Sequence, residues 1–311
     1  SGRGFDSLLG LSDNSQASMP VRHHVTARVI DGRALGAIIE KGLTDEAKAM
    51  EKRGRAPHLV VIIVGDDAAS HVYVRNKQRA CERIGIKSTR HDLPSTSDPS
   101  DLIDLVDNLN KDEGVDGILV QSPLPAGFDE ISITEMIDPE KDVDGFHPVN
   151  LGRIVTGKVD GLLPCTPSAV IHMLESTGER LAGKKALVVG RSRIVGMPTA
   201  LLLAQKGVDA TVTISHSQSQ DLQGLCLDSD IIVAAVGRPG MIKSDWVKED
   251  AIVIDVGINR VAVDGASKLV GDVEKEALER ASWVTPVPGG VGPMTIAMLM
   301  RNTIKAANDR V

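Results

Sequence analysis

A lysine on the apolar side of a predicted helix is the first residue of this sequence that points to chemistry. The stretch YVRNKQRACERIGI (73–86) has the spacing of an amphipathic helix that ends at Gly85. Lys77 shares the apolar face with Tyr73, whereas charged neighbours such as Arg79 fall on the solvent face. A lysine in an apolar cleft loses its charge more readily, which makes it usable as a base near neutral pH. A lysine that reaches back to water from the edge of the apolar stripe is the alternative.

Two further polar side chains stand where structure alone does not require them. Gln121 follows an apolar run and precedes two prolines in GILVQSPLP (117–125), so its position is tightly constrained. Asp144 lies in DPEKDVDGFHPVN (138–150), whose composition is typical of a shaped loop, although an aspartate before glycine is also an ordinary turn residue. A lysine, an amide and a carboxylate that converge on one cleft could bind a polar heterocycle and move its protons.

A glycine-containing turn predicts a dinucleotide site in the second half of the chain. The stretch VVGRSRIVGMPTALLLAQKG (188–207) places Gly190, Ser192 and Gly196 between a predicted strand and a predicted helix. This is a variant of the dinucleotide fingerprint, with serine in place of the second glycine. Such glycines let the backbone approach a pyrophosphate, which the helix N-terminus stabilises. A tight turn without a ligand is the alternative.

The following strand has no acidic residue where NAD enzymes usually hold the ribose hydroxyls. It ends in ISHSQS (214–219), which offers His216 and Ser217, with Arg191 nearby. Neutral donors and a guanidinium suit a 2′-phosphate, so the sequence favours NADP over NAD. An ordinary polar turn remains the alternative.

Short apolar runs alternate with helical segments, which predicts parallel βαβ units and an α/β fold. The predicted strands cover residues 58–65, 114–125, 184–191, 209–216, 230–237, 251–257 and 282–290. Besides 73–86, the predicted helices cover residues 168–177, 197–207 and 293–310.

Composition excludes several classes of protein. A net charge of −7 over 311 residues gives no support to a nucleic-acid or anionic-membrane surface. No apolar run approaches the roughly 20 residues of a membrane span. Cys81, Cys165 and Cys226 share no metal-ligand spacing, so we predict reduced thiols and no metal site. Residues 1–21 are interpreted as a tag, linker or leader.

Six motifs follow one another along the chain. They are YVRNK, GILVQSPLP, PEKDVDGFHPVNLGRI, PCTPSAV, GRSRIVGMP and TPVPGGVGPMT. Over about residues 25–308 the sequence thereby resembles the methylenetetrahydrofolate dehydrogenase–cyclohydrolase family. The resemblance implies an enzyme of one-carbon metabolism, serving purine biosynthesis, that oxidises 5,10-methylenetetrahydrofolate with NADP. It would then hydrolyse the methenyl product to 10-formyltetrahydrofolate. Ser122 stands where many relatives have leucine, which changes no assigned role.

The resemblance also implies roles for individual residues. Lys77 matches the catalytic lysine, and Gln121 matches the amide that tunes it. Tyr73 matches the aromatic that packs on the pterin, and Asp144 the carboxylate that holds its amino-pyrimidine edge. The folate cleft would also be lined by Gly289, Gly290, Val291 and Pro293. The cofactor-binding positions would be Gly190, Arg191, Ser192, Gly196, His216, Ser217, Gly237 and Ile258.

Domain organisation and assembly follow from the same resemblance. The folate-binding domain would comprise residues 22–168 plus 293–311, and the NADP-binding Rossmann domain residues 169–292. The last helix would return to the first domain, with the active site in the interdomain cleft. The resemblance further implies tetrahydrofolate substrates and a homodimer. We expect a cytoplasmic location, with mitochondria as the alternative.

Three other functions remain open from the residues. One is another two-domain Rossmann dehydrogenase, such as an amino-acid or shikimate-like enzyme, which would not account for YVRNK together with VQSPLP and DVDGFHP. A monofunctional folate dehydrogenase is the second, although Lys77 and Gln121 argue against it. The third is a nucleotide-sensing protein without catalysis.

Overall fold

The computed structural model of the chain describes residues 27–263 and 266–310. The strands are β1 (Arg28–Val29), β2 (His58–Val64), β3 (Lys87–Leu93), β4 (Gly117–Val120), β5 (Lys185–Val189), β6 (Thr211–Ser215), β7 (Ile231–Ala234), β8 (Ile252–Asp255), β9 (Asn259–Val263), β10 (Ala266–Val270) and β11 (Trp283–Val284). The α-helices are α1 (Gly32–Lys52), α2 (Ala68–Ile84), α3 (Pro99–Lys111), α4 (Glu130–Met136), α5 (Pro148–Val155), α6 (Cys165–Glu175), α7 (Gly196–Leu203), α8 (Leu222–Leu227) and α9 (Val291–Asp309). Two short 3₁₀ helices cover Ser244–Trp246 and Lys275–Glu279. The interpretation of residues 1–21 concerns a segment outside the described residues.

Two parallel sheets organise these elements. The first has the strand order β3-β2-β4, and the second has the order β1-β11-β8-β7-β5-β6. Strands β9 and β10 form a separate antiparallel hairpin. Every neighbouring pair in the six-stranded sheet is parallel, and the strands alternate with helices. The prediction of a two-part α/β fold is therefore confirmed.

Continuous aliphatic runs explain why the central strands form. All seven residues of β2 are buried, since the strand lies between two neighbours with helices against the sheet. The four residues of β7 are likewise buried at the centre of the larger sheet. Strand β2 ends directly before Gly65, and a glycine, Gly237, follows β7 three residues after its end. That places their carboxyl ends, where sites form in parallel sheets, at defined positions.

The last helix, α9, returns to the first half of the chain, as predicted. It packs mainly against α1 and α6 and also contacts β2 and β4. Its Asn302 is buried and donates from Nδ2 to the carbonyl oxygens of Val143 and Leu163, both at 2.8 Å. The helix therefore joins the backbone just before Asp144 to the segment that precedes α6.

Two predicted elements differ from the observed ones. Helix α6 begins at Cys165 rather than after Pro167, because the first-turn N–H groups of a helix have no intrahelical acceptor and proline is tolerated there. The strand predicted at 282–290 is only Trp283–Val284. Pro286 and Pro288 have no N–H to give to a ladder, so the chain continues as a loop.

The predicted domain boundaries fall inside secondary structure. The boundary at 168/169 lies within α6, and that at 292/293 lies within α9. Strand β1, assigned to the first domain, pairs with β11 at the edge of the six-stranded sheet. Among the described residues, no helix combines the length and apolar character that a membrane crossing needs.

Candidate active site

Helix α2 positions two of the predicted site residues. Its N-terminus is capped by the Asp67 carboxylate, which accepts from the Ser70 N–H at 2.7 Å, and it ends at Gly85 in a left-handed conformation. Tyr73, 39% exposed, and half-buried Lys77 lie one turn apart at the margin of the buried stripe. Both side chains are thus held by a capped helix and remain partly exposed.

The Lys77 ammonium meets Gln121 at the end of β4. Lys77 Nζ donates to Gln121 Oε1 at 3.0 Å. Gln121 is fixed by two further bonds, since its N–H donates to the Ile62 carbonyl at 2.8 Å and its Nε2 to the Ser122 carbonyl at 2.6 Å. With the amide nitrogen engaged, the oxygen is the atom presented to Lys77. This contact orients the lysine without neutralising it by a carboxylate.

Asp144 and Gln121 line the same cavity, which has a volume of about 230 Å³. Burial raises the pKa of the Asp144 carboxyl, and the charge of Lys77 opposes that shift. Among the hydrogen bonds within residues 27–263 and 266–310, none is donated to this carboxylate. A half-buried carboxylate that lines a cavity and accepts no internal hydrogen bond suits a ligand that brings its own donors.

Buried polar contacts fix the loop that carries Asp144. Lys141 is fully buried, and its Nζ donates to the carbonyls of Leu109 at 2.8 Å and Asp112 at 2.7 Å, at the end of α3. The Asp142 carboxylate accepts from the His147 N–H at 2.7 Å. The loop is therefore anchored on both sides of Asp144.

A second, larger cleft of about 390 Å³ lies beside Tyr73. Of the predicted folate-cleft residues, it is lined by Gly289, Gly290, Val291 and Pro293. A Cβ on Gly290 would lie 2.6 Å from the Pro286 carbonyl oxygen, so the loop can turn here only without a side chain. Ile258, predicted to contact the cofactor, lines this cleft rather than the cavity near Gly190.

The mouth of this cleft contains cations that the sequence analysis missed. Arg33 from α1 and Arg79 from α2 both line it, although Arg79 was assigned to the solvent face. Arg83 also lines it, but its guanidinium is engaged by the Glu40 carboxylate at 2.7 and 2.9 Å. The helical wheel of α2 could not reveal this, because the partner wall comes from α1 and the 286–293 loop.

The strand-to-helix turn at Gly190 borders a third cavity of about 340 Å³. Its lining includes Gly190, Arg191, Ser192, His216 and Ser217. Gly190 has a φ of 117°, and a Cβ there would lie 2.3 Å from the Ala235 carbonyl oxygen. A Cβ on Gly196, the first residue of α7, would lie 2.2 Å from the Gly190 carbonyl oxygen. Both positions therefore require glycine for this close turn.

The same cavity contains further groups suited to a phosphorylated ligand. Arg238 lines it but was not predicted, since a single arginine in a loop gives no periodic signal. Gly237, which the resemblance assigns to the cofactor, directly precedes Arg238 in the loop after β7. Ser215 also lines the cavity, and its hydroxyl is buried without a hydrogen-bond partner among the described residues. Two guanidiniums, a glycine turn and an orphaned hydroxyl fit a dinucleotide that carries an additional phosphate.

No group of three or more potential metal ligands occurs in the described part of the chain.

Comparison with known proteins identifies the family. The catalytic-domain model of tetrahydrofolate dehydrogenase/cyclohydrolase matches residues 30–144, and the NAD(P)-binding-domain model of the same family matches residues 164–311. The chain belongs to the tetrahydrofolate dehydrogenase/cyclohydrolase family.

Relatives named bifunctional protein FolD match nearly the whole length of this family member. The Campylobacter curvus protein is 50% identical over 91% of this chain and 96% of its own. The Moorella thermoacetica protein is 51% identical over 90% of this chain and 99% of its own. The resemblance noted from the motifs is therefore confirmed.

Solved structures of the family share the fold. The Campylobacter jejuni bifunctional enzyme FolD superposes with a TM-score of 0.88 at 43% identity, covering 92% of this chain and all of that one. The Trypanosoma brucei methylenetetrahydrofolate dehydrogenase-cyclohydrolase, complexed with NADP cofactor and inhibitor, superposes with a TM-score of 0.86 at 41% identity, covering 91% of this chain and 98% of that one.

Proposed function

We propose that this chain oxidises 5,10-methylenetetrahydrofolate to 5,10-methenyltetrahydrofolate with NADP and hydrolyses that product to 10-formyltetrahydrofolate. The observation that carries the proposal is the 3.0 Å contact between Lys77 Nζ and Gln121 Oε1, in a wall that Asp144 shares. Hydride loss from a methylene group between two nitrogens needs no such proton-handling pair, whereas hydrolysis of the methenyl product does. Family membership supplies the two reactions, and the site supplies residues for each.

The oxidation step depends mainly on positioning. Tyr73 offers a flat face to the pterin, and the Asp144 carboxylate accepts hydrogen bonds from its amino-pyrimidine edge. The glycine turn of residues 289–290 lets the backbone lie close to the ring. When bound, the nicotinamide accepts the hydride from the one-carbon unit. The cationic methenyl group forms without a strong base.

Hydrolysis is the step in which protons must be moved. Water attacks the amidinium carbon of the methenyl bridge, and Lys77 takes a proton from it. The resulting ammonium returns the proton to the ring nitrogen as the carbon–nitrogen bond breaks. Gln121 Oε1 holds Nζ at the point where both transfers occur. The second proton of the water leaves as the formyl C=O forms, so one methenyl cation and one water give 10-formyltetrahydrofolate and one released proton.

The cations at the cleft mouth suit the acidic end of a folate. Arg33 from α1 and Arg79 from α2 both line the 390 Å³ cleft that Tyr73 also lines. A substrate whose ring lies against Tyr73 would extend its glutamate carboxylates toward these guanidiniums. This arrangement supports a folate over a smaller heterocycle.

We expect Arg191→Ala to lower kcat/KM for NADP by about ten- to a hundredfold, because a charge-assisted bond to the 2′-phosphate is lost. The value for NAD should change by less than about twofold, and methenyltetrahydrofolate hydrolysis should not change. The measurement is the initial rate of cofactor reduction at varied NADP and NAD. Arg180→Ala, an exposed arginine of the same half of the chain, is the control. Equal losses with both cofactors would contradict the role given to Arg191.

Assembly, domain limits and location extend the proposal. We infer a homodimer, which the resemblance to the family implies. Sedimentation should then give twice the 33.0 kDa chain mass.

The domains are inferred at residues 22–168 plus 293–311 and at 169–292. We place the protein in the cytoplasm, in one-carbon supply to purine biosynthesis, without nucleic-acid or membrane partners.

A two-stage spectroscopic assay tests the proposed function. Purified protein receives methylenetetrahydrofolate with NADP or NAD, and then methenyltetrahydrofolate alone. Reduction of NADP together with decay of the methenyl absorbance is expected. Reduction without methenyl decay would leave only a dehydrogenase, and a folded protein that does neither would contradict the proposal.

A further inference from the structure

A carboxylate outside the folate and cofactor cavities organises the loop between them. Asp272 is fully buried just after the hairpin strand β10. Its Oδ2 accepts from the backbone N–H groups of Val236 at 2.7 Å and Gly237 at 2.9 Å. Its Oδ1 accepts from the Arg238 N–H and from Asn259 Nδ2, both at 2.8 Å. Three consecutive backbone amides after β7 are thus gathered on one side chain, which fixes the path of that loop.

A second buried carboxylate holds Asp272 itself in place. Asp255, at the end of β8, accepts from the N–H groups of Gly257, Asp272 and Val273, each at 2.9 Å. Burial, with the neighbouring charge of Asp272, raises the pKa of Asp255 to about 6, while the backbone donors oppose that shift. The segment that follows the hairpin is therefore tied to the ends of two adjacent sheet strands.

Close packing against glycines shows that little can move in this network. A Cβ on Gly257 would lie 2.3 Å from Asp272 Cγ, and a Cβ on Gly271 would lie 1.9 Å from Asp255 Oδ2. Each carboxylate thus occupies the space that a side chain would fill. The loop after β7 and the loop after β8 are therefore each held at a fixed distance from residues 271–273.

The two tethered loops line different cavities. Val236 and Arg238 line the 340 Å³ cavity beside the Gly190 turn. Asp255, Gly257 and Ile258 line the 390 Å³ cleft beside Tyr73. Lys77, Gln121 and Asp144, which carry the hydrolysis, belong to α2, the end of β4 and the 138–150 loop. Among the described residues, no hydrogen bond joins them to Asp255 or Asp272.

We propose that Asp272 is a positioning residue for the dehydrogenase step: it fixes residues 236–238 in the cofactor cavity at a set distance from the folate cleft. The inference rests on the proposed function, because it assigns the 340 Å³ cavity to NADP. It predicts that the two activities respond differently to the loss of this carboxylate.

Asp272→Asn is the sharpest test, because it keeps the shape of the side chain and replaces only one of its two acceptor oxygens by an NH₂ group. Each carboxylate oxygen receives two N–H donors, so either orientation of the amide turns its NH₂ toward two other donors. The 236–238 loop must then shift. We expect KM for NADP to rise by about tenfold or more.

The experiment compares both reactions of each purified variant. Dehydrogenase kinetics are measured at varied NADP, methenyltetrahydrofolate hydrolysis is measured without cofactor, and NADP affinity is measured by titration calorimetry. Hydrolysis by Asp272→Asn should stay within about twofold of the parent. Glu274→Gln makes the same chemical change two residues away, in a partly exposed ion pair with Lys243 at 2.8 Å, and should alter neither reaction.

The possible results separate the inference from the function on which it rests. An unchanged KM and affinity for NADP, or equal losses of both activities, would overturn the role of Asp272. If Asp272→Asn does not fold, Asn259→Ala removes one donor and should raise KM in the same direction by a smaller factor; no rise would overturn the inference. Absence of both activities in the parent protein would instead contradict the proposed function, while calorimetry would still test Asp272.

Discussion

Lys77→Met is expected to lower the kcat of methenyltetrahydrofolate hydrolysis by about 10²- to 10⁴-fold, the usual contribution of a positioned acid–base group. Methionine keeps the length and apolar stem of the side chain but cannot accept a proton from water. Folate binding should largely persist, since Tyr73 and Asp144 still contact the ring. The measurement is the decay of methenyl absorbance under saturating substrate, after correction for the spontaneous reaction.

The control for this variant is a lysine on the outside of the same half of the molecule. Lys48 lies exposed on α1, and Lys48→Met should leave both activities unchanged. Normal hydrolysis by Lys77→Met would remove the lysine from the proton transfers. Equal loss of folate affinity would assign it to binding instead.

Asp144→Asn is expected to raise KM for the folate in both reactions by about ten- to a hundredfold, because a charged hydrogen-bond acceptor becomes a neutral one. If the asparagine turned its NH₂ toward the amino-pyrimidine edge, that NH₂ would meet the N–H groups of the ring, and two donors cannot form a hydrogen bond with each other. KM from both assays, together with calorimetric titration of the folate, measures the effect. Asp160→Asn, at an exposed position, is the control.

Asp144→Asn should weaken folate binding but raise the stability of the ligand-free folded protein at neutral pH. Burial raises the pKa of Asp144 in the folded protein, so the folded state holds this proton more tightly than the unfolded chain does. Stability from this group therefore falls as pH rises from the ordinary aspartate pKa to the raised one, and it stays lower above it. The ligand-free Asp144→Asn protein should melt at a higher temperature than the parent at neutral pH. A lower melting temperature with unchanged KM would contradict the account of this carboxylate.

Long apolar runs made much of the fold predictable from the sequence. β2 and β5 lie within one or two residues of their predicted ends, because buried parallel strands read as continuous aliphatic segments. Gly85 marks the end of α2, since its left-handed backbone conformation is one that glycine readily adopts. The Gly190 turn follows from the same reasoning.

Edge elements gave no comparable signal. β3 reads KSTRHDL and lies at the edge of its sheet with most side chains partly exposed, so it has no apolar run. The two-residue strand β1 is specified only by its pairing with β11. Such elements depend on tertiary contacts that the local sequence does not encode.

A site residue could be predicted from the sequence only where its own local motif set it apart from its neighbours. Lys77 and Gln121 stood out because each is a polar residue in an apolar setting. Arg33 and Arg238 did not, since their importance comes from walls that distant segments form. Asp272 resembled an ordinary turn aspartate, and only its four donors distinguish it.

The most direct test of the central claim is the ratio of two products in one reaction. The parent protein receives methylenetetrahydrofolate with excess NADP, and NADPH and 10-formyltetrahydrofolate are quantified together as the reaction proceeds. The account predicts that both form in nearly equal amounts throughout, with little methenyl intermediate, and that Lys77→Met forms NADPH while methenyltetrahydrofolate accumulates. Accumulation of methenyltetrahydrofolate by the parent, at the rate set by spontaneous hydrolysis, would contradict the assignment of a hydrolytic site to Lys77 and Gln121.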